Sequence, residues 1–177
     1  MKLSEDAKEW IKDIVFAIIL AAIILVFIKP TIVREHSMEN TLHEGDYLFV
    51  SKQTYKLFGK EPAQGDIIVF SSDLEGSNGK TKLLIKRIVG VPGDTVAITG
   101  GYVYINGTQL KEDYLKDGRT TSEMAPVTVP EGCLFCMGDN RQNSTDSRDS
   151  RVGFVKMENV MGKAVIRLFP FSGIRTF

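Results

Sequence analysis

The chain has 177 residues, 43% of them hydrophobic and 25% charged, which suffices for one compact domain with a core and excludes collagen-like or disordered character. Lys plus Arg number 22, as do Asp plus Glu, so the formal net charge is +0. That balance lacks the basic excess needed to neutralise phosphates, and nucleic-acid binding is not expected.

In chain order, the first feature is the run from Ile14 to Ile28, IVFAIILAAIILVFI, which contains no polar residue. Trp10 and Ile11 extend its apolar face beyond Lys12 and Asp13. The run predicts an uncleaved membrane-spanning helix that Pro30 ends. At about 1.5 Å per residue it is short for a bilayer, but Lys12 and Lys29 can bend to the interfaces and Trp10 suits the headgroup level. Two other readings compete. A buried core helix would normally carry a polar stripe, and this run is apolar all round. A cleaved secretory signal would be followed by an A-x-A-like site, whereas Lys29, Pro30, Thr31, Ile32 and Val33 follow here. The basic flanks, Lys2, Lys8 and Lys12 before and Lys29 and Arg34 after, do not decide orientation.

After Pro30 the texture changes to short β-like runs, predicted at residues 47–51, 66–71, 83–91, 95–99, 102–106, 134–137 and 160–168. Gly100-Gly101 and Asn106-Gly107 tolerate positive φ and predict tight hairpin turns. Residues 71–82 and 111–126 read as exposed loops. The expected architecture is mostly β: one N-terminal transmembrane helix followed by an antiparallel sheet domain with barrel-like or sandwich-like closure. The expected division is 1–30, cytoplasmic N-terminus and anchor, and 31–177, extracytoplasmic β domain.

Cys133 and Cys136 form a C-x-x-C within GCLFCMG, which reads as a strand. Three residues of extended chain separate their Cα atoms by about 10 Å, too far for an unstrained disulfide. His36 and His43 lack common zinc-ligand spacing, and no metal is expected. His36 precedes Ser37; on a strand the two would point to opposite faces. His43 leaves a Ser-His-Asp arrangement conceivable, although no G-x-S-x-G surrounds any serine.

Three segments carry candidate chemistry. In REHSMENTLHEGD, residues 34–46, Ser37 lies just beyond the expected membrane surface; a lone loop serine is ordinarily a solvated residue. In LLIKRIVGVPGD, residues 83–94, a strand apolar on both faces carries Lys86 on the side of Leu84 and Ile88, and Arg87 with Ile85 and Val89. Burial disfavours the ammonium form, and a lysine brought several units below about 10.4 can act as a general base toward a hydroxyl. The bland alternative is a lysine at the strand rim or paired with a carboxylate. The third segment, GDNRQNSTDSRDSR, residues 138–151, is either a solvated loop or a store of short polar groups supporting that lysine and pairing Arg87.

Taken together these segments resemble the bacterial type I signal peptidases, in the compact Gram-positive form. The resemblance rests on S-M-x-x-T-L at 37–42, G-D-I-I-V-F at 65–70, K-R-I-V-G-V-P-G-D at 86–94, G-D-N-R-x-N-S-x-D-S-R at 138–148 and the ending LFPFSGIRTF, in that order after an apolar helix. It implies coiled β-sheets, a catalytic domain on the outer face of the cell membrane, and cleavage after small residues in an Ala-x-Ala pattern. Ser37 matches the nucleophile and Lys86 the general base. Ser144 matches a hydroxyl that orients the lysine, Asp146, Arg87 and Arg148 a supporting charged network, and Met38 a residue shielding the site. The substrate is expected to add as a strand beside Val33, Arg34 and Glu35 on one side and Leu83, Leu84 and Ile85 on the other. Implied partners are the signal peptides of exported preproteins, membrane lipid and the translocation machinery; no cofactor is implied. Two departures stand out. The family usually has Pro at Asn40, and often Ser or Gly at Glu35, whose carboxylate cannot donate to an oxyanion. A non-catalytic tethered peptide-binding module is the alternative from another class, with Glu35 and Asn40 as its support.

Overall fold

A computed structural model describes residues 5–52, 54–55, 60–76, 79, 81–115 and 118–177. Helix α1 spans Glu5–Phe27. Among the described residues twelve strands follow: β1 Ile28–Ile32, β2 Tyr47–Ser51, β3 Ile67–Glu75, β4 Thr81–Gly90, β5 Thr95–Thr99, β6 Tyr102–Ile105, β7 Thr108–Gln109, β8 Met124–Thr128, β9 Cys133–Met137, β10 Val155–Lys156, β11 Val160–Phe169 and β12 Arg175–Thr176. The mostly β antiparallel expectation holds. An eight-stranded sheet runs β1-β2-β11-β3-β4-β9-β10, with β12 beside β11, and a four-stranded sheet runs β7-β6-β5-β8.

Helix α1 differs from its expectation at both ends. It begins in the charged turns around Glu5, Asp6 and Lys8, and it stops at Phe27 rather than at Pro30. Ile28 and Pro30 lie inside β1, opposite Ser51 and Phe49. A proline is tolerated there because β1 is an edge strand, where a missing N–H costs no ladder bond. The apolar stretch left in the helix, residues 14–27, is about 21 Å long, against about 30 Å of hydrocarbon in a bilayer. Among the described residues no helix is long and apolar enough to cross a membrane. Its large side chains nevertheless face outward on every side: Trp10, Phe16, Ile18, Ile19 and Ile24 are all exposed.

Of the predicted loop over 71–82, residues 71–75 and 81–82 belong instead to β3 and β4, paired as far as Glu75 with Thr81, and residues 77, 78 and 80 lie outside the described residues. Its polar, turn-forming composition hid the pairing, since only Leu74 of residues 71–75 packs against an apolar cluster. The predicted loop over 111–126 likewise ends in β8, which pairs with β5. The two glycine-bearing hairpins form as expected. Thr99 pairs with Tyr102 across Gly100 (φ 61°) and Gly101 (φ 84°), and Ile105 pairs with Thr108 across Asn106 (φ 51°) and Gly107 (φ 80°). Two successive positive φ values match the twist of the flanking strands.

Three apolar clusters fix the sheets. Val89, Val96, Ile98, Val103, Phe135 and Met137 join the small sheet to the large one. Ile68, Phe70, Leu84, Ile88, Leu134 and Cys136 pack against one face of β3–β4–β9. Val33, Met38, Leu42, Leu48, Ile67 and Ala164 pack under the segment that follows β1. Each such side chain taken from water contributes about 1.5–3 kcal/mol, so this third cluster holds residues 33–42 firmly against the sheet. Both Cys133 and Cys136 lie on β9 and are free thiols, as the strand reading required.

Candidate active site

Ser37 occupies a single 3-10 turn, His36–Met38, entered from extended backbone at Glu35. It is therefore not on a strand, as the His36–Ser37 reasoning assumed. The turn is closed by the Glu39 and Leu42 N–H groups, which donate to the His36 carbonyl at 3.1 Å and the Met38 carbonyl at 2.8 Å. Met38 and Leu42 anchor it by burial in the third cluster. Asn40 has a φ of 85°, a left-handed conformation that asparagine tolerates and a proline ring cannot reach. Backbone bonds from the Thr41 and Leu42 N–H groups to the Met38 carbonyl hold the turn around Asn40.

Lys86 arrives from the core side. Alternation along β4 sends it to the same face as Leu84 and Ile88, and it is 1% exposed. Its Nζ donates to Ser37 Oγ at 2.6 Å and to the Ile85 carbonyl at 3.1 Å. Burial lowers its pKa from 10.5 to about 8; Asp146 and Glu35 oppose that shift, and Lys82 assists it. Ser37 is 7% exposed and opens on one side to a groove of about 740 Å³. A hydroxyl beside a dry, weakly basic amine has the chemistry to act as a nucleophile with its base.

The loop between β9 and β10 closes over this pair. Asn140 donates its backbone N–H to the Ser37 carbonyl and its Nδ2 to the His36 carbonyl, both at 3.0 Å. Gly138 lies so close that a Cβ there would collide with Ser144 Oγ and the Ser37 carbonyl oxygen. Asp146 is buried, which raises its pKa, but the two-pronged pair with Arg148, the Gly138 N–H and Ser144 together outweigh burial and hold it below the ordinary carboxylate value. Asp146 also accepts the Gly138 N–H at 2.9 Å.

The structure sorts the sequence candidates. Ser37, Lys86 and Met38 come together, and Asp146 pairs with Arg148 nearby. Arg87 does not join that network: it pairs with Asp139 and lies over the Tyr114 ring at 4.0 Å. Strand alternation puts it on the face opposite Lys86. Ser144 does not hydrogen-bond the lysine; its Oγ is buried on the side of Asp146, whose carboxyl it helps to hold down. Val33, Arg34, Glu35, Leu83 and Ile85 line the groove, whereas Leu84 points into the core under β4. His36 pairs with Glu39 at 2.5 Å, and His43 is exposed, so neither histidine serves Ser37.

Sequence reasoning missed Asp139, Thr41, Asn140 and Lys82. Asp139 and Asn140 stood in the G-D-N-R motif without an assigned role, and Thr41, which donates to Asp139 Oδ2 at 2.5 Å, stood in S-M-x-x-T-L. Nothing in the sequence pointed to Lys82, whose Nζ meets Glu35 Oε1 at 2.6 Å.

Comparison with known proteins gives the chain a family. Residues 7–169 match the family described as Signal peptidase, peptidase S26. A signal peptidase I of Bacillus licheniformis is 40% identical over 94% of this chain and 91% of its own. Signal peptidase I T of Bacillus subtilis (strain 168) is 38% identical over 94% of this chain and 88% of its own. The crystal structure of a signal peptidase I from Enterococcus faecalis V583 superposes with a TM-score of 0.50 at 36% sequence identity, covering 60% of this chain and 98% of that one. A match of this extent, over a buried serine–lysine pair, means that the chain belongs to the signal peptidase family, peptidase S26, and is a serine endopeptidase.

Proposed function

We propose that this protein cleaves N-terminal signal peptides from exported preproteins, after small residues in an Ala-x-Ala pattern, with Ser37 as nucleophile and Lys86 as general base. The observation that carries the reading is the 2.6 Å contact between Lys86 Nζ and Ser37 Oγ in a buried setting. At pH 7 an amine of pKa about 8 is neutral in about a tenth of molecules, against about one in a few thousand for an ordinary lysine. Neutral Lys86 accepts the Ser37 proton as Oγ attacks the scissile carbonyl. It then returns the proton to the leaving amine, and water hydrolyses the acyl-enzyme with the lysine again as base. The charge of Asp146, which Arg148 holds, acts on the amine from the loop side, and Met38 walls the site.

The peptide lies extended in the groove, beside Val33–Glu35 and the Leu83–Ile85 arm of β4. Support for this comes from the pairing pattern. β1 occupies the end of its sheet, and β9 pairs with β4 only from Arg87 onward, which leaves two strand edges facing the groove. Helix α1 anchors the enzyme in the cell membrane, with the β domain on the extracytoplasmic side. The outward-facing apolar side chains of α1 support this, and Trp10, Lys12 and Lys29 compensate for the short apolar span. A substrate whose own signal peptide sits in the bilayer gains effective concentration at a tethered site.

The test is processing of a secretory precursor by the full chain in detergent micelles. Ser37→Ala and Lys86→Ala are each expected to abolish cleavage while the far-ultraviolet circular dichroism of the wild type is retained. Processing by either variant at the wild-type rate rejects the reading. Retention of the wild type in the membrane fraction after alkaline extraction tests the anchor.

A further inference from the structure

Glu35 and Lys82 stand at the rim of the same groove. Glu35 belongs to the segment entering the Ser37 turn and Lys82 to the exposed arm of β4, and their side chains meet at 2.6 Å. Both are partly exposed, at 45% and 37% of their side-chain surface, so the ion pair sits at the opening rather than in the floor. We propose that Glu35 and Lys82 determine specificity at the middle residue of the Ala-x-Ala segment, favouring an acidic side chain there over a basic one. The inference rests on the peptidase reading above and extends it to a position that small pockets do not select.

The argument begins with strand geometry. Successive side chains of an extended peptide point to opposite sides. If the two small residues enter the apolar floor near Met38 and Ile85, the residue between them turns to the rim, where Glu35 and Lys82 lie. The sign follows from the charges lining the groove. Lys29, Arg34 and Lys82 are cations, and Glu35 and Glu75 are anions. A peptide carboxylate takes Lys82 from Glu35, which is exposed and free to turn into water. A peptide ammonium that takes Glu35 instead leaves Lys82 unpaired among like charges. The two rim residues also act on the base: Glu35 raises and Lys82 lowers the Lys86 pKa, so their separation is felt at the reacting atoms.

The experiment compares three otherwise identical peptides carrying Glu, Gln or Lys at the middle position, cleaved by the full chain in neutral detergent at low salt. For exposed charges the expected preference of Glu over Lys is about three-fold in kcat/KM, expressed in KM, and it collapses in about 0.5 M salt. Lys82→Glu is expected to invert the preference, Lys82→Gln to remove it and Lys82→Arg to keep it, with thermal melting confirming that each variant is folded. Equal kcat/KM for the Glu and Lys peptides with the wild type, or an unaltered preference in folded Lys82→Gln, overturns the inference while leaving the peptidase reading intact. Failure of the wild type to cleave any of the three rejects the peptidase reading and the inference with it.

Discussion

Arg87 closes both prongs of its guanidinium on Asp139, Nε to Oδ1 at 2.8 Å and Nη2 to Oδ2 at 2.6 Å, one residue along the chain from the Lys86 amine. The same carboxylate accepts from Thr41, in the turn that carries Ser37, so β4, the Ser37 turn and the 138–148 loop meet on one ion pair. The Asp139 side chain is 0% exposed. Truncating its partner leaves a buried carboxylate uncompensated, at a cost of about 3–5 kcal/mol. Arg87→Ala is therefore expected to lower the urea unfolding midpoint sharply. Arg87→Lys is expected to recover only part of the loss, because an ammonium cannot make the two-pronged contact.

Gly138 admits no side chain. An added Cβ meets Ser144 Oγ and the Ser37 carbonyl oxygen, neither at the free end of a long side chain. Gly138→Ala is expected to cost about 1–3 kcal/mol of stability through overpacking. It is also expected to lower kcat for precursor cleavage by about 100-fold, because the Ser37 turn must shift away from Lys86. Unfolding curves and steady-state kinetics check the two parts separately.

Much of this site was legible in the sequence because its motifs carry residues that are costly without a purpose. A lysine inside LLIKRIVG reads either as a buried base or as a rim or carboxylate-paired residue; the face it shares with Leu84 and Ile88 is buried, while Leu83 on the other face is exposed. Gly100-Gly101 and Asn106-Gly107 likewise announced their turns through backbone freedom. What the sequence hid depends on contacts distant in the chain. Residues 138–151 do pair Arg87, as their polar composition allows, but through Asp139 rather than through the Asp146–Arg148 pair that the resemblance implies. Leu84 was placed beside the substrate although it shares the Lys86 face and packs inward. The Lys82–Glu35 pair joins residues 47 positions apart across a hairpin arm that read as loop, and no local pattern marks it. The helix boundary was missed because Pro30 ends a helix equally well from just outside it or from within an edge strand.

Burying Lys86 carries a stability cost whose pH dependence is predictable. The folded pKa, about 8, lies below the unfolded value near 10.5, so the unfolded chain binds the proton more tightly. The cost is fully present below about pH 8 and is relieved as pH rises toward 10.5. Lys86→Met is expected to be inactive and yet more stable than the wild type at pH 7, by about 1–3 kcal/mol. That advantage should shrink when chemical denaturation is repeated near pH 10.

The claim that Lys86 activates Ser37 is tested most directly by the pH dependence of kcat/KM for one precursor. The account predicts a single ionisation limiting activity on the acid side, centred near pH 8, below which the rate falls about ten-fold per pH unit. A profile that is flat from pH 6 to pH 9, or an acid limb centred near the ordinary histidine value of about 6.5, would contradict it.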